Sequence, residues 1–315
     1  MIGVKTLLKQ YDETRKDRYA SARLVFEGVP GKDVYNISAP FPWHGETYIA
    51  GRVETRESEL SDIRFFKKTS EHTFIATKHT IPDIQDPHIT RWGDTLFVGG
   101  TEFNHSNKGE REDIHEWWTA YYSGSSLSDL RKRIVAPLNM KDLRLHFTAS
   151  TIHVFTRPKG GAAGLGRIGH MRTARLEEIT PEAITQAPLL EDRLPATWWT
   201  GVNDVRMLKD GRLGILAHLS NIDEKGDRHY YAAVFAYDPE TRKSTPMKII
   251  ATRKDFPDGP AKYPDLHDVV FPGGIIRHED STATLYAGIS DVDACILRMK
   301  DPFLEYEGYA GGYDV

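Results

Sequence analysis

Apolar and polar residues alternate along this chain in short runs, and the runs end at Gly, Asp or Asn. Residues 46–53, 95–100, 152–156, 213–218 and 284–288 are examples, rich in Val, Ile, Leu, Phe, Tyr and Thr. A period of two bounded by turn residues predicts half-buried strands. Helical periodicity is confined to residues 3–18 and 181–186. Strands that do not alternate with helices exclude a doubly wound sheet and predict an all-β fold.

One unit recurs: a polar residue opens an apolar strand, a turn follows, and a second strand ends in a polar group. The openers are Asn36, Asp86, Asp142, Asp204 and Asp268, spaced by 50, 56, 62 and 64 residues. One or two further strand-like runs complete each unit. Four strands repeated five times predict a single five-bladed β-propeller. Its blades begin at about residues 34, 86, 142, 203 and 267, and residues 1–20 form a partly helical N-terminal extension. The last blade is one strand short. Segment 23–28 is expected to complete it, closing the ring of residues 21–315 and hiding a sheet edge.

In a propeller the first strand of each blade lines a central channel and the second runs back beside it. The openers, with His267, therefore share one channel mouth with the second-strand ends Arg52, Glu54, Glu102, Arg157, His218 and Asp291. Turns and wet channel mouths attract Asp and Asn on their own account. A mouth that gathers acids, arginines and histidines from every unit points instead to a polar ligand.

Charge narrows the partners. Lys and Arg number 41 against 45 Asp and Glu, a net charge of −4, which offers no basic surplus for nucleic acid or an anionic membrane. No apolar stretch approaches the roughly 20 residues of a membrane span. The first twenty residues lack the apolar segment of a secretory signal. A single cysteine, Cys295, permits no intrachain disulfide; it reads as a core residue and fits a reducing, cytoplasmic setting. The glycine-rich stretch 160–166 reads as a loop, because no helix follows it to hold a phosphate.

Short motifs in all five units resemble the five-bladed propellers of the furanosidases and the inverting β-mannoside phosphorylases. The second unit has Gln85-Asp86-Pro87-His88, where those phosphorylases have Glu-Asp-Pro-Arg. The third has Lys141-Asp142, Arg157-Pro158 and the run Gly166-Arg167-Ile168-Gly169. The fourth has Ala217-His218, and the fifth runs through residues 269–274 and 285–291. The chain is also similar to a smaller family of that clan, known only as a domain of unknown function.

The resemblance implies a carbohydrate-active enzyme that cleaves a small glycoside or oligosaccharide. Asp86 would be the general acid. Asn36, Arg52, Asp142, Asp204, His267, Asp268 and Asp291 would bind the sugar. The clan's hydrolases carry an Asp base on the first blade, and Asn36 fills that place; an amide accepts no proton from water. Inverting phosphorolysis needs no protein base, since phosphate is the nucleophile. Lys141, Arg157 and His218 would hold it, with inorganic phosphate as co-substrate and no other cofactor. Glu54 or Glu102 as a base for water would restore a hydrolase. Trp43, Trp117-Trp118 and Trp198-Trp199 supply faces for sugar stacking or for packing.

Two other classes stay open. One is a non-catalytic sugar-binding or interaction propeller, favoured by the missing base. The other is a metal-dependent hydrolase or lactonase, with Asn36, Asp86, Asn203 and Asp204 as oxygen ligands, or His44, His88, His146, His218 and His267 as nitrogen ligands. No metal-ligand spacing such as HExxH supports the latter.

Overall fold

The computed structural model describes residues 4–15, 18–108, 111–191 and 194–308. After helix α1 (Val4–Thr14) come strands β1 (Arg18–Arg23) and β2 (Val25–Glu27). A first antiparallel set follows: β3 (Asp33–Tyr35), β4 (Phe41–Trp43), β5 (Glu46–Glu54), β6 (Asp62–Lys68) and β7 (Thr73–Ile81). The second is β8 (Ile84–Trp92), β9 (Thr95–Lys108), β10 (Arg111–Gly124) and β11 (Arg131–Val135). The third is β12 (Arg144–Phe147), β13 (Ile152–Thr156) and β14 (Gly169–Thr173), with helix α2 (Pro181–Thr185) after it. The fourth is β15 (Trp198–Met207), β16 (Leu213–Ile222), β17 (Arg228–Asp238), β18 (Lys243–Ser244) and β19 (Lys248–Ala251). The last is β20 (Asp268–Arg277), β21 (Thr282–Ile289) and β22 (Asp293–Lys300), before helix α3 (Leu304–Glu307).

The chain is all-β with short helices, as its alternation predicts. These strands form four hydrogen-bonded sheets among the described residues, where the repeat predicts five. The difference lies between β17 and β20. A two-residue parallel contact, His229↔Asp268 and Tyr230↔Val269, fuses the fourth and last sets into one nine-stranded sheet. Inner strands meet round a common centre: β8 touches β12, β12 touches β15, β15 touches β20, and β3 touches β21 and β22. Buried clusters fill the spaces between sets, and Cys295 is buried in one of them.

Segment 23–28 does not form one closing strand. β1 pairs antiparallel with β22, with Ser21 opposite Leu297, while β2 lies parallel to β7, with Phe26 opposite Phe74. Between them Leu24 is buried, and its N–H donates to Ala294 O at 2.8 Å, whereas the Val25 N–H donates to His72 O at 2.9 Å. The chain thus crosses from the last set to the first at one residue, and strand structure already begins at Arg18 rather than after residue 20. α1 lies against the fourth set. Val4, Leu7 and Tyr11, three and four residues apart, bury one face of the helix with Leu219, Tyr231, Ala233 and Ile249.

The third set has three strands rather than four. Its sequence turns to α2 where an outer strand is expected. Thr180 Oγ1 accepts the Ala183 N–H at 3.3 Å, and Pro181 starts the helix without an N–H to leave unpaired. Ile179 and Ile184 then cover the set in place of the strand.

Candidate active site

Four of the residues singled out for the channel mouth have a left-handed backbone: Asn36 (φ 44°), Asp86 (φ 56°), Asp142 (φ 58°) and Asp291 (φ 54°). Asn and Asp tolerate this conformation better than other non-glycine residues, and such strain gathers at functional sites. Asn36 Nδ2 donates to Asp86 Oδ1 at 2.8 Å, and Arg52 Nη1 lies 3.5 Å from the same oxygen. Gly288 makes room for this pair, since a Cβ there would fall 2.1 Å from Asn36 Oδ1.

Glu54 is fully engaged. It accepts from Tyr35 Oη at 2.5 Å, from Arg52 Nε at 2.9 Å and from Lys262 Nζ. Glu59 lies 3.0 Å from Arg52 and 2.9 Å from Lys262. Burial raises the Glu59 carboxyl, but these two cations outweigh it and hold it below the usual range. Asp291 shows the reverse balance. Burial pushes its carboxyl up to about 6; Asp86 and Glu59 add to the rise, while Arg52 and Lys262 oppose it.

Asp142 forms the other half of the site. Arg157 Nε lies 3.1 Å from its Oδ2, and Arg144 Nη2 lies 3.3 Å from its Oδ1. Burial alone would raise Asp142, yet Arg157 and Arg144 drive it well below the carboxylate range. Lys141 spans the two halves: burial lowers its ammonium, and Asp86 and Asp142 pull it back up. The ammonium groups of Lys141 and Lys159 stand 5.6 and 5.7 Å from the Trp117 ring centre.

His218 is buried, which takes its pKa down to about 3; Asp142 opposes the fall, and Arg157 adds to it. The imidazole is therefore neutral. Its Nδ1 lies 2.8 Å from Asn203 Oδ1, an atom that only accepts, so Nδ1 carries the hydrogen and Nε2 presents a lone pair. Nε2 is buried and has no protein partner. Gly201 is needed here, because a Cβ would stand 2.8 Å from both Arg157 Cδ and His218 Cε1.

The structure therefore gathers Asn36, Arg52, Glu54, Asp86, Lys141, Asp142, Arg157, His218 and Asp291. It does not gather Glu102, Asp204, His267 and Asp268 with them. Glu102 lies within β9, not at its end, and turns to Trp118 Nε1 (2.7 Å), Tyr122 and Lys132. Asp204 sits six residues after the start of β15, past a bulge between Val202 and Asp204 that turns it away. Asp268 bonds His229 Nδ1 at 2.6 Å and Tyr231 at 3.1 Å in the fourth set, and His267 is exposed. Sequence reasoning missed Tyr35, Glu59, Arg144, Tyr230 and Lys262. Of the tryptophans, Trp117 and Trp199 reach the site, the latter edge-on to Tyr230 at 5.7 Å. Trp43 is buried under Arg91. Among the described residues, no three His, Cys, Asp or Glu side chains converge as a metal site, and no helix is long and apolar enough to cross a membrane.

Solved structures match this chain along its length. A mannose phosphorylase from Leishmania mexicana, solved with a phosphate ion, is 31% identical, with 98% of this chain and 96% of that chain covered and a TM-score of 0.87. A GDP-Man-dependent mannosyltransferase from the same organism is 28% identical, covers 98% and 97%, and has a TM-score of 0.85. A β-1,2-mannobiose phosphorylase from Listeria innocua is 16% identical over 88% and 93%, with a TM-score of 0.63, a likeness of fold. The resemblance to propeller glycoside phosphorylases and hydrolases read from the motifs is met by these neighbours. No curated protein sequence matches. The family model described as "Protein of unknown function (DUF1861)" spans residues 10–305, and this chain belongs to that family.

Proposed function

We propose that the strand sets are the blades of one five-bladed propeller, with the nine-stranded sheet counting as two, and that its mouth cleaves small mannosides by inverting phosphorolysis. The observation that carries this reading is the state of the carboxyls. Glu54, Glu59, Asp86 and Asp142 each face a cation, and Asp291 holds its proton to about pH 6. The four cation-paired carboxylates are not free to activate water. Phosphate needs no such base, and Lys141 and Arg157 offer it cationic donors.

In this scheme Asp86 passes a proton to the glycosidic oxygen as the bond to the anomeric carbon breaks. A phosphate oxygen attacks that carbon from the opposite face, and the product is a sugar 1-phosphate of inverted configuration. Asp291 lies close enough for the charge of Asp86 to raise its carboxyl, so the two acids share one electrostatic environment. His218 Nε2 accepts from a hydroxyl of the sugar or of the phosphate. The mannose phosphorylase relative, solved with phosphate, supports the choice of sugar and acceptor.

The test is ³¹P NMR of the protein with a panel of mannobioses. A sugar 1-phosphate that appears only with inorganic phosphate is the expected result. Free mannose released at the same rate without phosphate would overturn the reading in favour of hydrolysis. A second reading, mannosyl transfer from a nucleotide sugar, rests on Trp117 bracketed by Lys141 and Lys159, a platform for a flat base beside a diphosphate, and on the 28% identical mannosyltransferase.

A further inference from the structure

Residues that the mouth leaves unused come together elsewhere. A cavity of about 290 Å³ lies further along the same inner strands, and every strand set contributes to its wall. Its polar side includes His88, Thr90, Arg91, His146, Asp204 and Arg206, together with Ser38; Phe41, Leu145 and Phe147 are among its apolar lining. Arg144 and His146, two residues apart on β12, share one face of it, and Asp142 lies two residues before the strand. Two to four residues along a strand place the cavity roughly 7–13 Å from the mouth. Arg144, buried and bonded to Asp142, stands between the two.

The wall is rich in donors and short of acceptors. Asp204 supplies its only carboxylate, already taken by Arg206 Nη2 at 2.7 Å and by the N–H groups of Val205 (2.8 Å) and Ile275 (3.1 Å). Arg206 Nε and His146 Nε2 are buried with no protein partner. Burial lowers both histidines, and the positive field adds to it: Arg144 and Arg206 at His88, Arg206 at His146, which falls to about 4. An unpaired guanidinium donor in a positive field, beside an imidazole nitrogen with no partner, calls for a ligand with negative charge that can accept.

We infer that this cavity is a second binding site, for an oxyanion, separate from the mouth, and that it takes inorganic phosphate or the phosphate group of a sugar phosphate. The inference stands apart from the proposed reaction, because none of these polar lining residues belongs to the Asp86 cluster.

The experiment is calorimetric titration of the full chain, of Arg206→Gln and of Arg157→Gln, first with inorganic phosphate and then with a hexose 1-phosphate. The expected result is a binding event that survives Arg157→Gln and weakens about tenfold or more in Arg206→Gln, the effect of losing a charge-assisted hydrogen bond. The same ligand should raise the His146 titration midpoint in wild-type protein, read by imidazole NMR. Tighter binding of the free anion or of the sugar phosphate identifies the source, and either order supports the site. Should Arg206→Gln unfold, which circular dichroism shows, His146→Asn takes its place. No event outside the Arg157 site, or one equally strong in Arg206→Gln and His146→Asn, overturns the inference. Loss of turnover in Arg157→Gln alone bears only on the proposed reaction.

Discussion

Replacing Lys262 by Met tests whether the mouth is held by its buried ion pairs. The Lys262 side chain is 1% exposed, and its ammonium meets Glu54, Glu59 at 2.9 Å and Ser58 O at 2.6 Å. Breaking a buried pair by removing one partner costs about 3–5 kcal/mol, because the other charge is left uncompensated. Here Glu54 keeps Arg52 and Tyr35, and Glu59 keeps Arg52, so the lower end, about 3 kcal/mol, applies. Unfolding entropy of roughly 2.1 cal/mol/K per residue gives about 0.66 kcal/mol/K for the chain, so Tm should fall by about 4–5 °C. Differential scanning calorimetry measures it. Lys262 also opposes the rise at Asp291, so the variant should move the Asp291 midpoint further above 6, read by carboxyl ¹³C NMR. A Tm shift below 1 °C with an unmoved Asp291 would refute the reasoning.

Asp86→Asn should lower kcat by about 10²–10⁴ on a mannoside with a poor leaving group, and far less on an activated aryl mannoside. Equal losses on both would make Asp86 a binding residue. Asp291→Asn should stabilise the fold at pH 7.5 by as much as about 3 kcal/mol. A carboxyl whose folded pKa is raised binds its proton more tightly when folded, so ionising it costs stability as pH rises from 3.8 to about 6. The gain should vanish below pH 4, and a gain that is constant with pH contradicts the assignment. His146, His153 and His170 have folded pKa values near 4, 4 and 3, lowered chiefly by burial. Stability should therefore fall as pH drops from 6.5 towards 4, where the unfolded chain binds more protons; urea midpoints that stay flat over that window contradict it.

The repeat was legible because period-two alternation and turn residues are local properties of the chain. Asp86, Asp142 and Arg157 were legible for the same reason, as they sit at strand ends where the pattern starts or stops. Asp204 was misplaced by one bulge, which reverses the facing of a strand and leaves no mark in composition. Glu102 was misplaced because β9 extends to Lys108, well past the apolar run that seemed to end it. Lys262 and Glu59 come from loops some two hundred residues apart in sequence, and only the closed fold makes them neighbours. Fusion of the fourth and last sets through His229 and Asp268 was equally invisible, since the contact is two residues long.

The crossing at Leu24 bears on how the molecule is made. β1 leaves the ribosome long before its partner β22 is made, and Ser21 waits for Leu297. At roughly 5–20 residues per second that wait is about 15–55 s. During it the nascent chain carries two unpaired edges, one on β1 and one on β7 until β2 docks. Contacts this distant in sequence slow the final step of folding, because the loop must close before its contacts form. Force applied at the N-terminus would load α1 on the fourth set and then the β1–β22 seam, before any of the inner strands part.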